Sequence, residues 1–153
     1  MQALELKIPP PVVAGLTAGA MCGLSLVTPL FDVPALLRVS SAGTLALAGV
    51  GFILTGVLSF HRARTTINPM KPDTTSALVC SGIYRVTRNP MYAGLLFILV
   101  AWAVFLSSVW ALLGPVAFVC YINRFQIVPE ERALAALFGT SYAAYTACVR
   151  RWM

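Results

Sequence analysis

The chain has 153 residues, 59% of them hydrophobic and 10% charged, with a formal net charge of +6. Soluble domains carry about 25% charged residues, so this composition excludes a water-soluble globule, which would lack the polar surface to cover its core. The length suits one domain, and the basic residues lie between apolar blocks instead of forming a stripe, which excludes a nucleic-acid-binding module.

The first apolar block runs from Pro11 to Phe31 without a charge, close to the roughly 20 residues a membrane helix needs. Glu5 and a single Lys7 precede it, and no small-residue cleavage pattern stands before Phe31. It therefore reads as a retained span and not as a signal peptide. The second block, Gly43 to Phe60, is also uncharged and ends at His61 and Arg62. The third, Met91 to Phe125, meets its first charge at Arg124. Its length suits two short spans better than one. Ser107 and Ser108, flanked by Trp102 and Trp110, mark the hairpin tip, because tryptophan favours the membrane interface. Helices are expected throughout, since backbone groups in lipid must be satisfied within their own segment. The expected fold is an all-α integral membrane protein, one domain over residues 1–153, with four transmembrane helices at about 11–31, 43–61, 90–106 and 108–125.

Orientation follows from lysine and arginine placement. The second connection holds Arg62, Arg64, Lys71, Arg85 and Arg88, and the tail holds Arg124, Arg132, Arg150 and Arg151. The first connection holds only Arg38, with Asp32 nearby, and the hairpin tip is uncharged. Both basic segments and both termini are thus expected on the cytoplasmic side, where contact with anionic headgroups of membrane lipids follows. Cys22, Cys80, Cys120 and Cys148 are widely spaced, with no Cys-x-x-Cys pair. With one histidine, His61, no metal-ligand cluster is formed and no metal is expected.

Two segments, 68–92 and 123–152, gather the polar chemistry. In the first, Pro69, Pro72 and Gly82 punctuate a loop. Pro90 suits the first turn of the third span, and Asn89 before it is a natural N-cap. A helix N-terminus of this kind attracts anionic groups. In the second, Pro129 opens a helix with Glu130 and Glu131 in its first turn. Leu134, Leu137 and Phe138 lie at helical spacing, and Gly139 stops the helix. A second short helix then carries Tyr142, Tyr145 and Val149, so two amphipathic helices are expected on the membrane surface.

Each feature also has a purely structural reading. The arginines can be topology anchors, the tyrosines an interfacial belt, Asn89 a cap and the glutamates helix-start residues. Together, however, aromatics, arginines, an amide and paired carboxylates meet at one membrane face. Aromatics suit a heterocycle or a sulfonium cation, a carboxylate suits an ammonium or ribose hydroxyls, and an arginine suits a carboxylate. No Gly-x-Gly-x-x-Gly follows a strand, which excludes a Rossmann cofactor site.

The run Leu78-Val79-x-Ser81-Gly82-x-Tyr84-Arg85-x-x-Arg88-Asn89-Pro90-x-Tyr92-x-Gly94 and the run Glu130-Glu131-x-x-Leu134-x-x-x-Phe138-Gly139-x-x-Tyr142-x-x-Tyr145-x-x-x-Val149 resemble the isoprenylcysteine carboxyl methyltransferases and their short bacterial relatives, which in turn resemble phospholipid N-methyltransferases. The resemblance covers about half the chain, from residue 68 to residue 152. It implies an S-adenosylmethionine site facing the cytoplasm, in a bacterial inner membrane. Ser76, Ala77, Leu78, Val79, Tyr84, Asn89, Pro90, Met91, Tyr92 and Glu130 would line the cofactor pocket. The family has an arginine before the glutamates that orients the substrate carboxylate. Arg124 is the nearest candidate, Gln126 stands at the position four before Glu130, and Arg88 is a second candidate. Arg124, Arg88 and Glu130 are the expected catalytic residues, with Arg124 and Gln126 at the substrate. Asn89 stands where the eukaryotic carboxyl methyltransferases have histidine.

The implied reaction is methyl transfer to a lipophilic small molecule or lipid that reaches the site from the bilayer, with carboxyl O-methylation of an isoprenylcysteine-like acid as the leading form. An NADPH-dependent sterol-type reductase shares a similar hairpin and tail, but such enzymes have more spans. A non-catalytic scaffold would tolerate alanine at Tyr84, Asn89 and Glu130.

Overall fold

The structure, a computed structural model, describes residues 5–63 and 77–153. Helix α1 spans Pro10–Val27, with proline in its first turn, where a missing N–H costs nothing. Pro29 and Pro34 hold the chain extended after it. Helix α2, Ala35–Arg62, therefore starts directly after Pro34, eight residues before the expected span. Residues 35–42 contain no breaker, and Ser41 and Thr44 return their hydroxyls to the Leu37 and Ser40 carbonyls. The first helix is correspondingly shorter than its apolar block.

Helix α3 runs from Pro90 to Leu106. The expected tip is present: Ser107 adopts a left-handed conformation (φ 51°), and its carbonyl accepts the Phe31 N–H at 2.8 Å. A 3-10 turn, Val109–Leu112, leads into α4, Leu113–Ile122. The tail differs from expectation. Pro129 does not open a separate helix, because α4 continues through a π-helical turn, Asn123–Ile127, into α5, Val128–Cys148. The physical reason is Pro129 itself. Inside an α-helix its ring would clash with the carbonyl four residues back and leave it without a donor. That carbonyl belongs to Phe125, and in the wide turn it accepts the Leu6 N–H at 3.0 Å instead. The helix thus passes the proline intact. Gly139 (φ 47°, ψ −118°) kinks α5 where a stop was expected, a conformation open to glycine.

The α2 and α3 backbones touch. An added Cβ on Gly49 would stand 2.6 Å from the Gly94 carbonyl oxygen, so both positions require glycine. Phe52 and Phe97 pack beside this crossing, with ring centroids 5.4 Å apart. A core of Val13, Met21, Leu99, Ala103, Phe118 and Ile122 joins α1, α3 and α4, and Trp102 donates its indole N–H to the Ala18 carbonyl. The outward faces are apolar: Leu26 is 81% exposed and Leu36 84%. Monomeric soluble proteins do not display patches of this extent, and lipid is the solvent that suits them. Pro10–Val27, Ala35–Arg62 and the rod Val109–Cys148 are long and apolar enough to cross a membrane, and Pro90–Leu106 is apolar but shorter. Among the described residues there is no strand. The chain is an all-α integral membrane protein.

Candidate active site

One end of the bundle brings four elements together: the last turns of α2, a 3-10 turn at Gly82–Arg85, the start of α3, and α5. Gly82 (φ 62°) turns the chain sharply, close to the Ser59 hydroxyl. That turn drives Tyr84 inward, where its ring meets Phe60 edge-on at 5.4 Å and its carbonyl accepts the Tyr145 hydroxyl at 2.7 Å. Tyr92, one turn into α3, is buried and donates its hydroxyl to Glu130 Oε1. Tyr84, Tyr92 and Glu130 are thereby brought together as the two sequence motifs imply.

The two neighbouring glutamates have opposite surroundings. Glu131 is held by Arg151 through two bonds, at 3.1 and 2.5 Å, and by Arg88 at 3.2 Å. Glu130 has no cationic partner among the described residues. Burial pushes its carboxyl up to about 8, against the lowering effect of the Tyr92 hydroxyl and with a further push from the Glu131 charge. The residue as a whole is partly exposed, while its carboxyl is dehydrated. Burial and the nearby Tyr145 and Glu130 also raise the Tyr84 phenol, which stays neutral.

Asn89 does not cap α3 with its side chain. Its Nδ2 donates to the Arg151 carbonyl at 2.9 Å, and its own N–H bonds the Thr87 hydroxyl at 3.2 Å. Pro90 is buried, and the Met91 side chain lies over Gly56 of α2. Leu78 and Val79 line an open cleft of about 470 Å³ with Ala63, Cys80, Ser81, Gly82 and Arg85. Ala77 is half-buried at the edge of the described chain, and Ser76 lies outside the described residues.

The residues expected at the substrate bond the segment before α1 and not this cluster. Arg124, in the π turn, is about half exposed and pairs with Glu5 at 3.1 Å, as Arg132 does at 2.7 Å. Gln126 is fully buried and donates its Nε2 to the Ile8 carbonyl at 2.7 Å, while its Oε1 has no partner among the described residues. The segment before α1 thus lies along the π turn, a packing that no sequence motif announced. Reading the sequence also missed Thr87, Arg151 and the Trp152–Asn123 hydrogen bond (3.1 Å). The available signal was Glu131, a glutamate in an apolar tail that needs a cation, with Arg150-Arg151 the nearest basic pair downstream. Among the described residues no metal-ligand group occurs.

A family described as phospholipid methyltransferase matches residues 37–141, from the first turn of α2 through α3 and α4 to Ser141 in α5. The chain is also 46% identical over 63 residues to an uncharacterized protein of Haemophilus influenzae, a match that covers 41% of this chain and all of that relative. No solved structure matches. The matched region holds Tyr84, Asn89, Tyr92, Glu130 and Glu131 together with the glycine crossing of α2 and α3, and the chain belongs to the phospholipid methyltransferase family of membrane methyltransferases.

Proposed function

We propose that this protein transfers the methyl group of S-adenosylmethionine to a lipophilic acceptor, at a site on the cytoplasmic face of a four-span bundle. The observation that carries this reading is Glu130: a dehydrated carboxyl, bonded to Tyr92 and flanked by Tyr84, with no cation beside it among the described residues. Such a group favours a ligand that brings a positive charge or hydroxyl donors into a poorly hydrated place. The residues fit the cofactor: Glu130 suits its ammonium or ribose hydroxyls, the tyrosines its heterocycle or sulfonium, and Leu78 and Val79 an apolar wall. Bound S-adenosylmethionine supplies a methyl group on a positively charged sulfur. The protein's part is positioning and electrostatics: Tyr92 orients the Glu130 carboxyl, and Glu131 fixes Arg88 and Arg151 behind it.

The four spans are α1, α2, α3 and the stretch Val109–Ile127 that carries α4 between its 3-10 and π turns. An even number places the connection after α2 and the tail on the same side, and their arginines make that side cytoplasmic. The acceptor reaches the site sideways from the bilayer. A carboxylate acceptor of the isoprenylcysteine type is already ionised at neutral pH and needs no base. Arg124 would hold it by exchanging Glu5 for it. The family match favours a second acceptor, a lipid amine.

The test is calorimetric titration of S-adenosylmethionine, then NADPH, into the detergent-purified protein, with Glu130→Ala as control. Saturable binding of the first, lost in the variant, supports the reading and opens a screen of prenyl-thioether acids and lipid amines as acceptors. Folded protein that binds only NADPH is a reductase, and folded protein that binds neither is a scaffold.

A further inference from the structure

Three separate bonds connect the chain at Arg150 and Arg151 to the turn that opens α3. The Arg88 N–H donates to the Arg150 carbonyl at 3.0 Å. The Arg151 carbonyl accepts both the Thr87 hydroxyl, at 3.2 Å, and Asn89 Nδ2, at 2.9 Å. Thr87 is completely buried, so its hydroxyl needs these partners. The side chain of the same Arg151 grips both oxygens of Glu131 in a fork, a geometry that lysine cannot reproduce. One residue therefore binds the start of α3 through its backbone and the start of α5 through its guanidinium. Those are the two places that present Tyr92 and Glu130 to each other.

The contact also fixes how the Asn89 amide faces. Nδ2 commits one of its two N–H groups to the Arg151 carbonyl, which sets the orientation of the amide and turns its acceptor, Oδ1, to the opposite end.

We propose that Arg151 is a positioning residue of the methyl-transfer site: it registers the Asn-Pro start of α3 against the glutamate pair of α5 and orients the Asn89 amide so that its oxygen takes a hydrogen-bond donor from the cofactor. This rests on the reading of the site as an S-adenosylmethionine site. The effect of Arg151 is indirect, through Asn89 and Glu131, and a clean test must separate orientation from simple support of the fold.

Asn89→Asp does so. It keeps Oδ1 and the shape of the side chain, but it turns the donor into a second acceptor facing the Arg151 carbonyl. If Asn89 needed only its oxygen, this variant would bind the cofactor normally. S-adenosylmethionine is titrated into the full-length protein in detergent, as wild type, Arg151→Ala, Arg151→Lys and Asn89→Asp. Hydrogen exchange of residues 87–90 is followed in the cofactor-free state. The expected result is a loss of affinity of about tenfold or more in Arg151→Ala and Asn89→Asp, and a smaller loss in Arg151→Lys. Faster exchange at the Arg88 and Asn89 amides should accompany it in Arg151→Ala, with exchange in α1 unchanged. Wild-type affinity in Asn89→Asp, or unchanged exchange at residues 87–90 in Arg151→Ala, overturns the proposal while leaving the functional reading intact. Absence of binding in the wild type overturns that reading, and the cofactor-orienting role with it.

Discussion

Replacing Gly94 with alanine should loosen the bundle and misplace the site in one step. An ideal Cβ on Gly94 would stand 2.5 Å from the Gly49 carbonyl oxygen, 2.6 Å from Ile53 Cγ1 and 3.1 Å from the Ile53 nitrogen. Two of these three neighbours are backbone atoms and cannot rotate aside. Helices α2 and α3 must part by about 0.5 Å merely to bring the first distance to 3.0 Å. A gap of about 0.5–1 Å forfeits a quarter to a half of the dispersion attraction across it, and overpacking of this kind costs about 1–3 kcal/mol. Alanine recovers about 1 kcal/mol through its higher helix propensity, which leaves a net loss of about 1 kcal/mol. Gly51→Ala is the control, since nothing lies within 4 Å of a Cβ there. It should melt at or above the wild type, whereas Gly94→Ala should melt below both in detergent-purified protein followed by circular dichroism. Tyr92 stands two residues before Gly94, so the same displacement should weaken cofactor binding. A Gly94→Ala variant that melts with or above Gly51→Ala would refute the close-contact argument.

Three further outcomes follow from the site. Tyr92→Phe removes the hydroxyl that lowers the Glu130 carboxyl; S-adenosylmethionine affinity should drop by about tenfold, the worth of one hydrogen bond to a charged group, and an unchanged affinity would exclude Tyr92 from the site. Because the folded Glu130 carboxyl sits at about 8, above its ordinary 4.5, the folded state binds the extra proton; this stabilisation is complete below about pH 4.5 and is lost as the pH rises through about 8. Melting temperatures of the cofactor-free protein should accordingly fall across that window, and in Glu130→Gln they should not. Deleting one residue from the π turn, for instance Phe125, should turn Glu130 by about 100° relative to Tyr92; binding should be lost while helix content stays near wild type, and retained binding would show that the wide turn sets no register.

The membrane character and the third span were legible because charge-free blocks and prolines are local signals: Pro11 to Phe31 and Pro90 to Leu106 needed no knowledge of their partners. The Ser107 tip was legible for the same reason. The tail was not. Pro129 ordinarily argues for a helix start, and the alternative, a wide turn upstream whose freed carbonyl is taken by Leu6, depends on a segment more than a hundred residues away. Asn89 shows the same limit. Its neighbour Pro90 argues for a cap, but the amide is claimed by the Arg151 carbonyl, a partner that periodicity cannot name. Glu130 and Tyr92 could be paired only through the resemblance of two motifs, since nothing in either motif alone requires the other.

Glu130 and Glu131 are the sharpest case of environment dividing identical chemistry. Consecutive helical residues point about 100° apart, so one faces the tyrosines and the other the arginines. Glu131 satisfies Arg88 and Arg151 at three distances between 2.5 and 3.2 Å, with side-chain exposures of 20% for the glutamate, 15% for Arg88 and 38% for Arg151. Removing its charge leaves Arg88 poorly hydrated and without the carboxylate it pairs with. That should cost about 1–3 kcal/mol, between the value of an exposed pair and that of a buried one. Removing the Glu130 charge costs the empty protein nothing at neutral pH, because that carboxyl is already protonated there. Glu131→Gln should therefore lower the melting temperature and weaken the cofactor only in proportion to the disorder it causes. Glu130→Gln should hold or raise the melting temperature above pH 8 and abolish binding. The two variants, measured at pH 6 and pH 9 by melting and by titration, should form opposite corners of one square. If both lose stability alike and neither selectively loses the cofactor, the division of roles between the two carboxylates is wrong, and with it the assignment of Glu130 as the group that meets the ligand.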